Sequence, residues 1–210
     1  MDHDNLRDLF GRAAEGWVAT VETLDESDWT RSALGAWDGR ALVGHTLRAF
    51  GTIDRFLADA GPEGTPEIAD AAQYYRTVLA EPAIHHDVER RGVDAGAALG
   101  DEPAATVRSA VAATLSGLAA ADEALVGPTA AGSMRLGAYL ETRLVELVVH
   151  HRDLCAAMGT ATPPLEGIWE RVFAVVAATA NASQAQAATL ALLGRAVLPD
   201  GFNLFSSDQA

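Results

Sequence analysis

Cysteine is almost absent: Cys155 is the single one in 210 residues, so no disulfide can close within the chain. A lone thiol fits a reducing compartment, and a cytoplasmic location is expected. Positive charge is scarce too, with 15 Lys and Arg against 29 Asp and Glu, a formal net charge of -14 and a pI near 4.7. A field of that sign repels polyanions, so neither nucleic acid nor an anionic membrane surface is expected as a partner. Long apolar runs are missing as well. The longest largely apolar stretch, Val172 to Ala180, falls well short of the ~20 residues that span a bilayer. The acidic start, Met1-Asp2-His3-Asp4, has no basic segment followed by an apolar one, and no secretory signal is expected. A glycine-rich phosphate cradle and a strand-to-helix nucleophile elbow are also lacking, which removes nucleotide-dependent and α/β-hydrolase chemistry.

What is present is helical patterning. Leu6, Leu9, Phe10, Ala13, Trp17, Val21 and Leu24 recur at intervals of three and four, which predicts a first helix over Asn5 to Leu24. Residues 25 to 37 read as a structured loop, and Asp38 as the N-cap of a second helix carrying Leu42, Val43, His45, Ala49, Phe50, Ile53 and Phe56. After the breaker Gly61 to Pro66 comes a shorter helix, about Glu67 to Ala80; His85 to Gly100 has no decisive periodicity and reads as irregular or short helical. Asp101 and Pro103 start a third long helix, with Gly127-Pro128 closing it. A fourth spans about Met134 to Met158, and an Ala-rich segment from Leu165 to Leu198 breaks near Asn181. No β-hairpin signal is evident. With 49% hydrophobic residues the chain suits one substantial core, so the expectation is a single all-α domain over residues 1–198, a four-helix bundle with extra short helices in the 61–100 connection and near the C-terminus, and a tail over 199–210.

The fourth helix carries the chemistry. Glu146 and His150 stand four residues apart and so lie one above the other on a helix, where both can point at a common site able to hold a metal. The same spacing occurs in Glu81-Pro82-Ala83-Ile84-His85, but a proline inside it disfavours the helix that would align the pair. Around the helix, Tyr139, Arg143, Glu146, His150 and Asp153 form a polar stripe beside the apolar one of Leu140, Leu144, Leu147, His151 and Leu154. A polar stripe at a core must be paired or must bind something. Taken alone, the spacing also allows an Arg143–Glu146 ion pair with His150 hydrogen-bonded to a neighbour. A third ligand would come from elsewhere. His3 lies in a terminus expected to fray, His85 and His86 in an irregular region, and His151 about 100° away around the helix, whereas His45 sits on an inward stripe, where a core histidine is the more usual reading. Cys155 falls about 140° round from His150 and reads as a buried, inert thiol.

Two segments bear a family likeness. Trp37-Asp-Gly-Arg-Ala-Leu-Val-Gly-His45-Thr-Leu and Thr142-Arg143-Leu-Val-Glu146-Leu-Val-Val-His150-His-Arg-Asp153-Leu154 resemble the metal-ligand segments of the mycothiol-dependent maleylpyruvate isomerase N-terminal domain family, within the DinB-like superfamily of metal-binding four-helix bundles. Leu192-Leu-Gly-Arg-Ala-Val-Leu-Pro199 is similar to that family's end segment. The resemblance implies a metal held by His45, Glu146 and His150, with zinc usual for that branch. Two imidazoles and a carboxylate leave coordination positions open, as catalytic sites do, although nickel, iron or manganese would also accept the set. Arg143 and Asp153 match family positions too. Asp153 could orient an imidazole or serve a surface role, and Arg143 could neutralise Glu146 or hold a substrate carboxylate.

The function implied is a thiol transferase or isomerase in which a metal-bound small thiol, mycothiol by resemblance, attacks a small electrophile. About a dozen residues follow Leu198, so the second domain of the isomerase that names the family is not expected, and general thiol transfer is a safer expectation than maleylpyruvate isomerisation. Two alternatives stay open: a non-catalytic metal- or ligand-binding bundle, and a metal-assisted hydrolase using bound water. An exposed apolar helix face could support a homodimer.

Overall fold

A computed structural model describes residues 3–62, 64–80 and 87–205. The Glu81 to His85 spacing, His86 and the end of the tail lie outside the described residues. Along the chain run α1 (His3–Glu22), β1 (Ser32–Leu34), β2 (Trp37–Asp38), α2 (Gly39–Asp59), α3 (Ala71–Leu79), α4 (Val88–Ala97), α5 (Pro103–Ala120), β3 (Val126–Thr129), β4 (Gly132–Arg135), α6 (Leu136–Met158), α7 (Ile168–Thr179) and α8 (Ala182–Leu192). The fold is all-α, as the patterning predicts. Helices α1, α2, α5 and α6 form the bundle, in which α6 and α5 each pack against both α1 and α2.

The stripes read from the sequence become the core. Phe10 and Trp17 of α1 meet Phe50 of α2 at ring-centroid distances of 5.5 and 5.6 Å, and Phe56 stacks on Tyr139 of α6 at 5.0 Å. Trp17, Phe10, Phe50 and Phe56 are fully buried, each stabilising the bundle by roughly 1.5–3 kcal/mol relative to exposure. The ends are held by local chemistry. Asp38 caps α2 by accepting from the Ala41 amide at 2.8 Å, Asp70 caps α3 through Gln73, and Asn181 with Gln184 forms a capping box on α8. Gly159, at φ +69°, ends α6 in the left-handed conformation.

Two expectations need correction. Two small antiparallel hairpins exist, β1 with β2 and β3 with β4, although the sequence carries no hairpin signal. Strands of two to four residues are too short to display an alternation. Second, Gly127-Pro128 does not close α5, which ends at Ala120, but lies inside β3. The Val126 amide and carbonyl instead exchange hydrogen bonds with Gly61, at 2.9 and 3.0 Å. The 61–100 connection does hold short helices as expected, and α4, where the sequence read as irregular or short helical, is a regular one. It packs on α2 through glycine: a Cβ on Gly44 would lie 2.3 Å from the Gly96 nitrogen, and one on Gly96 would lie 2.9 Å from the Ala41 Cα. Backbone meeting backbone leaves no apolar stripe to read.

Candidate metal centre

Helix α6 divides its faces. Leu140, Leu144, Leu147, His151 and Leu154 are buried in the bundle, while Tyr139, Arg143, Glu146 and His150 line a cavity of about 900 Å³ walled also by α2, α3 and α4. His45 reaches that cavity from α2, about two turns after the Asp38-capped start. His45, Glu146 and His150 each offer a donor atom within 4.8 Å of the other two. The structure thus brings together the three side chains that the resemblance assigned to a metal.

The spacing between them suits one cation. His150 Nε2 stands 3.7 Å from Glu146 Oε2, long for a hydrogen bond and close to the roughly 3.4 Å that separates two ligands on a tetrahedral zinc. On the opposite edge of the same ring, Nδ1 lies 3.4 Å from Asp153 Oδ2, where an outer carboxylate orients a ligating imidazole. The His45 and His150 rings cross nearly perpendicular, 85°, with centroids 4.9 Å apart. Trp37 lies against His45 at 4.4 Å and donates its indole N–H to the Glu89 carbonyl of α4 at 2.9 Å. That position requires Gly92, whose Cβ would come 2.5 Å from the indole.

Burial and neighbouring charge set the protonation. Burial, followed by repulsion from His150, lowers His45 to about 4, so its ring is neutral and its lone pair available. Burial opposes the charge on Glu146, but the nearby His150 ring and the Arg143 charge outweigh it and hold the carboxyl at about 2. Burial opposes charge on His150 also, and the Asp153 and Glu146 carboxylates on either side of the ring win, raising it to about 9. One proton on His150 therefore occupies the place that a cation bound between the same acceptors would take. His45 Nδ1 and His150 Nδ1 are both buried without a hydrogen-bond partner among the described residues, as is Nδ1 of the core residue His151. A neutral imidazole, an ionised carboxylate and a second imidazole backed by an acid are a donor set that fits a divalent metal.

Arg143 is nine-tenths buried and its guanidinium goes elsewhere than to an ion pair with Glu146. It donates to Thr142 Oγ1 at 3.0 Å and to the Tyr74 hydroxyl at 3.3 Å, and lies over the Tyr139 ring at 5.0 Å. Its charge still acts on Glu146 at longer range. Cys155 is buried on another side of the helix. Reading the sequence overlooked Trp37 as a wall against His45, Tyr74 as the anchor of Arg143, and Arg48, although Arg48 follows His45 by three positions and so shares its face.

The profile of the mycothiol maleylpyruvate isomerase N-terminal domain family matches residues 10–155, well over half of the chain. The chain belongs to that family. Its four-helix bundle accords with the DinB-like superfamily, and the match spans every residue of the cluster on α2 and α6. Neither curated proteins nor solved structures give a match. Membership in the mycothiol maleylpyruvate isomerase N-terminal domain family thus rests on the profile, and it is joined by a cluster that could hold a metal ion. Among the described residues, no helix is long and apolar enough to cross a membrane.

Proposed function

We propose that this chain is a metal-dependent thiol transferase or isomerase, with zinc held by His45, Glu146 and His150 and a small thiol, mycothiol by family, as co-substrate of a small electrophile. The observation that carries the reading is the convergence of those three donors on one wall of a large cavity, in a chain of this family. A divalent cation in such a set lowers the pKa of a bound thiol and leaves it ionised at neutral pH.

The protein's own residues prepare the rest. Glu146 supplies negative charge that cancels part of the cation's, and Asp153 fixes the ring of His150 through Nδ1. Trp37 covers one side of His45 and excludes water there. The cavity gives the electrophile room beside the ligands, with Tyr74 and Tyr139 on its wall. In transfer, a new S–C bond forms as the leaving group departs with its electron pair; in isomerisation, the same bond to a conjugated alkene forms, allows rotation and breaks again.

The test uses protein purified without a polyhistidine tag. Elemental analysis is expected to find about one divalent ion per chain, and the loaded protein to consume mycothiol with a fluorogenic electrophile. Glu146→Ala should lose roughly a hundredfold or more in rate, since an open site missing its anionic ligand no longer holds the ion. Undiminished turnover in that variant, or equal turnover without thiol, would overturn the assignment, the second result favouring hydrolysis by bound water.

A further inference from the structure

The cavity has an electrostatic character opposite to that of the chain. Against a formal net charge of -14, its wall carries Arg48, Arg55, Arg91 and Arg143, with Asp59 and Glu146 as its acids. Two of these cations come from a single face of α2. His45, Arg48, Thr52 and Arg55 recur at intervals of three and four and all line the cavity, so Arg48 stands one turn from the proposed metal ligand and Arg55 two turns further on. Arg91 enters from α4, which glycine contacts hold tightly against α2.

Arg48 is the telling member. It is half-buried, and among the described residues it makes no hydrogen bond and no ion pair. Burial, then the charges of Arg91, Arg55 and Arg143, pull its pKa down, so what surrounds it is cationic. A guanidinium withdrawn from water and ringed by like charge is unfavourable until an anion joins it. Arg143 does not fill the role, being engaged by Thr142 and Tyr74.

We propose that Arg48, with Arg55 and Arg91, forms an anion subsite that receives an acid group of the reacting pair while the other end of that molecule meets the His45–Glu146–His150 cluster. At 1.5 Å of rise per residue, one to three turns of α2 separate the ends by roughly 5–15 Å, the length of a small organic acid. Guanidinium matches a carboxylate, sulfonate or phosphate by paired N–H donors, and a cationic hollow in an acidic protein gathers such groups where the rest of the surface repels them. The acid could belong to the thiol or to the electrophile. The inference takes its reactive end from the function proposed above, but the subsite itself needs no metal.

Malonate titrated into chelator-treated, metal-free protein, followed calorimetrically, is the first arm. Saturable binding that weakens with salt and is absent for dimethyl malonate is expected. Arg48→Gln should weaken it by roughly tenfold, the loss of a charge-assisted contact, with Arg48→Lys keeping part of the affinity and the distant Arg12→Gln keeping all of it. Absence of saturable binding, or equal loss in Arg12→Gln, would overturn the subsite. So would binding that needs metal and survives Arg48→Gln, which would place the anion on the ion and leave the metal reading standing. In the second arm, KM is measured in loaded protein for acid and methyl-ester forms of an electrophile, and for thioglycolate and its methyl ester. A rise on Arg48→Gln confined to the acid electrophile, or to the acid thiol, identifies the bearer, while no acid-specific rise in either overturns the role in the reaction.

Discussion

His150 and His151 are neighbours in sequence and opposites in environment. The first faces the cavity among Glu146, Asp153 and His45, and charge around it raises its pKa to about 9. The second faces α1, is wholly buried, shares a hydrogen bond with the Thr20 hydroxyl at 2.8 Å, and is lowered by burial to about 4. Helix α6 is the same rod on both sides, so the difference comes from what the facing helix supplies. Helix α1 offers the Gly16 backbone and a single hydroxyl, so one ring nitrogen is paired, Nδ1 is buried without a hydrogen-bond partner among the described residues, and the result is a core residue. Helix α2 offers another imidazole and, over a cavity, a guanidinium without a partner among the described residues, and the result is a cluster that could hold a metal.

Exchanging the two histidines for alanine separates these roles most sharply. His150→Ala is expected to take bound metal from about one ion per chain to none by elemental analysis, with thermal stability of the metal-free form nearly unchanged. His151→Ala should keep the metal and destabilise the fold by about 2–4 kcal/mol in urea, through lost packing and the lost hydrogen bond to Thr20, whose hydroxyl keeps only its bond to the Gly16 carbonyl. Metal retained by His150→Ala, or lost from a folded His151→Ala, would reverse the comparison.

The next contrast lies within α2, on its two sides. Gly44→Ala forces a Cβ to 2.3 Å from the Gly96 nitrogen, a backbone atom that cannot swing away, and the expected loss is about 2–3 kcal/mol as α4 lifts. Gly51→Ala meets nothing within 4 Å on the same helix, so it should stabilise by about 0.5–1 kcal/mol. Opposite signs in denaturant midpoints are expected, and a shared sign would mean that α4 does not seat on α2 as described.

That contrast also explains what the sequence made legible. The bundle helices show themselves because their buried residues are large and regularly spaced: Leu6 to Val21, Leu42 to Phe56, Leu140 to Leu154. Glu146 and His150 are readable for the same reason, since one turn of one helix aligns them. His45 is a different case. Nothing local distinguishes a ligand from a core histidine, and it took a resemblance spanning a hundred residues to pair it with α6. Helix α4 was legible only as irregular or short helical because Gly92 and Gly96 make its contacts, and absence of a side chain leaves no pattern. The hairpins stayed hidden because a pair such as Trp37 and Asp38 is too short to alternate. Arg48 was visible and passed over, because an arginine on a helix reads as solvated until the structure puts a cavity in front of it.

A smaller effect is expected of Asp153→Asn. The amide keeps the shape but gives His150 Nδ1 a weaker acceptor, and metal affinity should fall by about 10–100-fold in competition with a chromophoric chelator, without loss of stoichiometry at saturating metal. An unchanged affinity would assign Asp153 to the surface.

The smallest effect is the pH dependence of the core histidine. His151 is at about 4 when folded and near 6.5 in an open chain, so between those values the unfolded state binds the extra proton. Its contribution to stability is therefore complete above about pH 6.5 and declines as pH falls toward 4, by about 1 kcal/mol between pH 7.5 and 5.5. His45, lowered in the same way, adds a slope of the same sign, and His150, raised, adds one of the opposite sign, so the raw profile mixes all three. Subtracting the profile of His151→Leu removes the two that face the cavity, since they are common to both proteins. The difference should lose stability on acidification; a flat difference would show that His151 already carries its proton in the fold, with Thr20 as its acceptor, and the distinction between the two faces of α6 would then rest on packing alone.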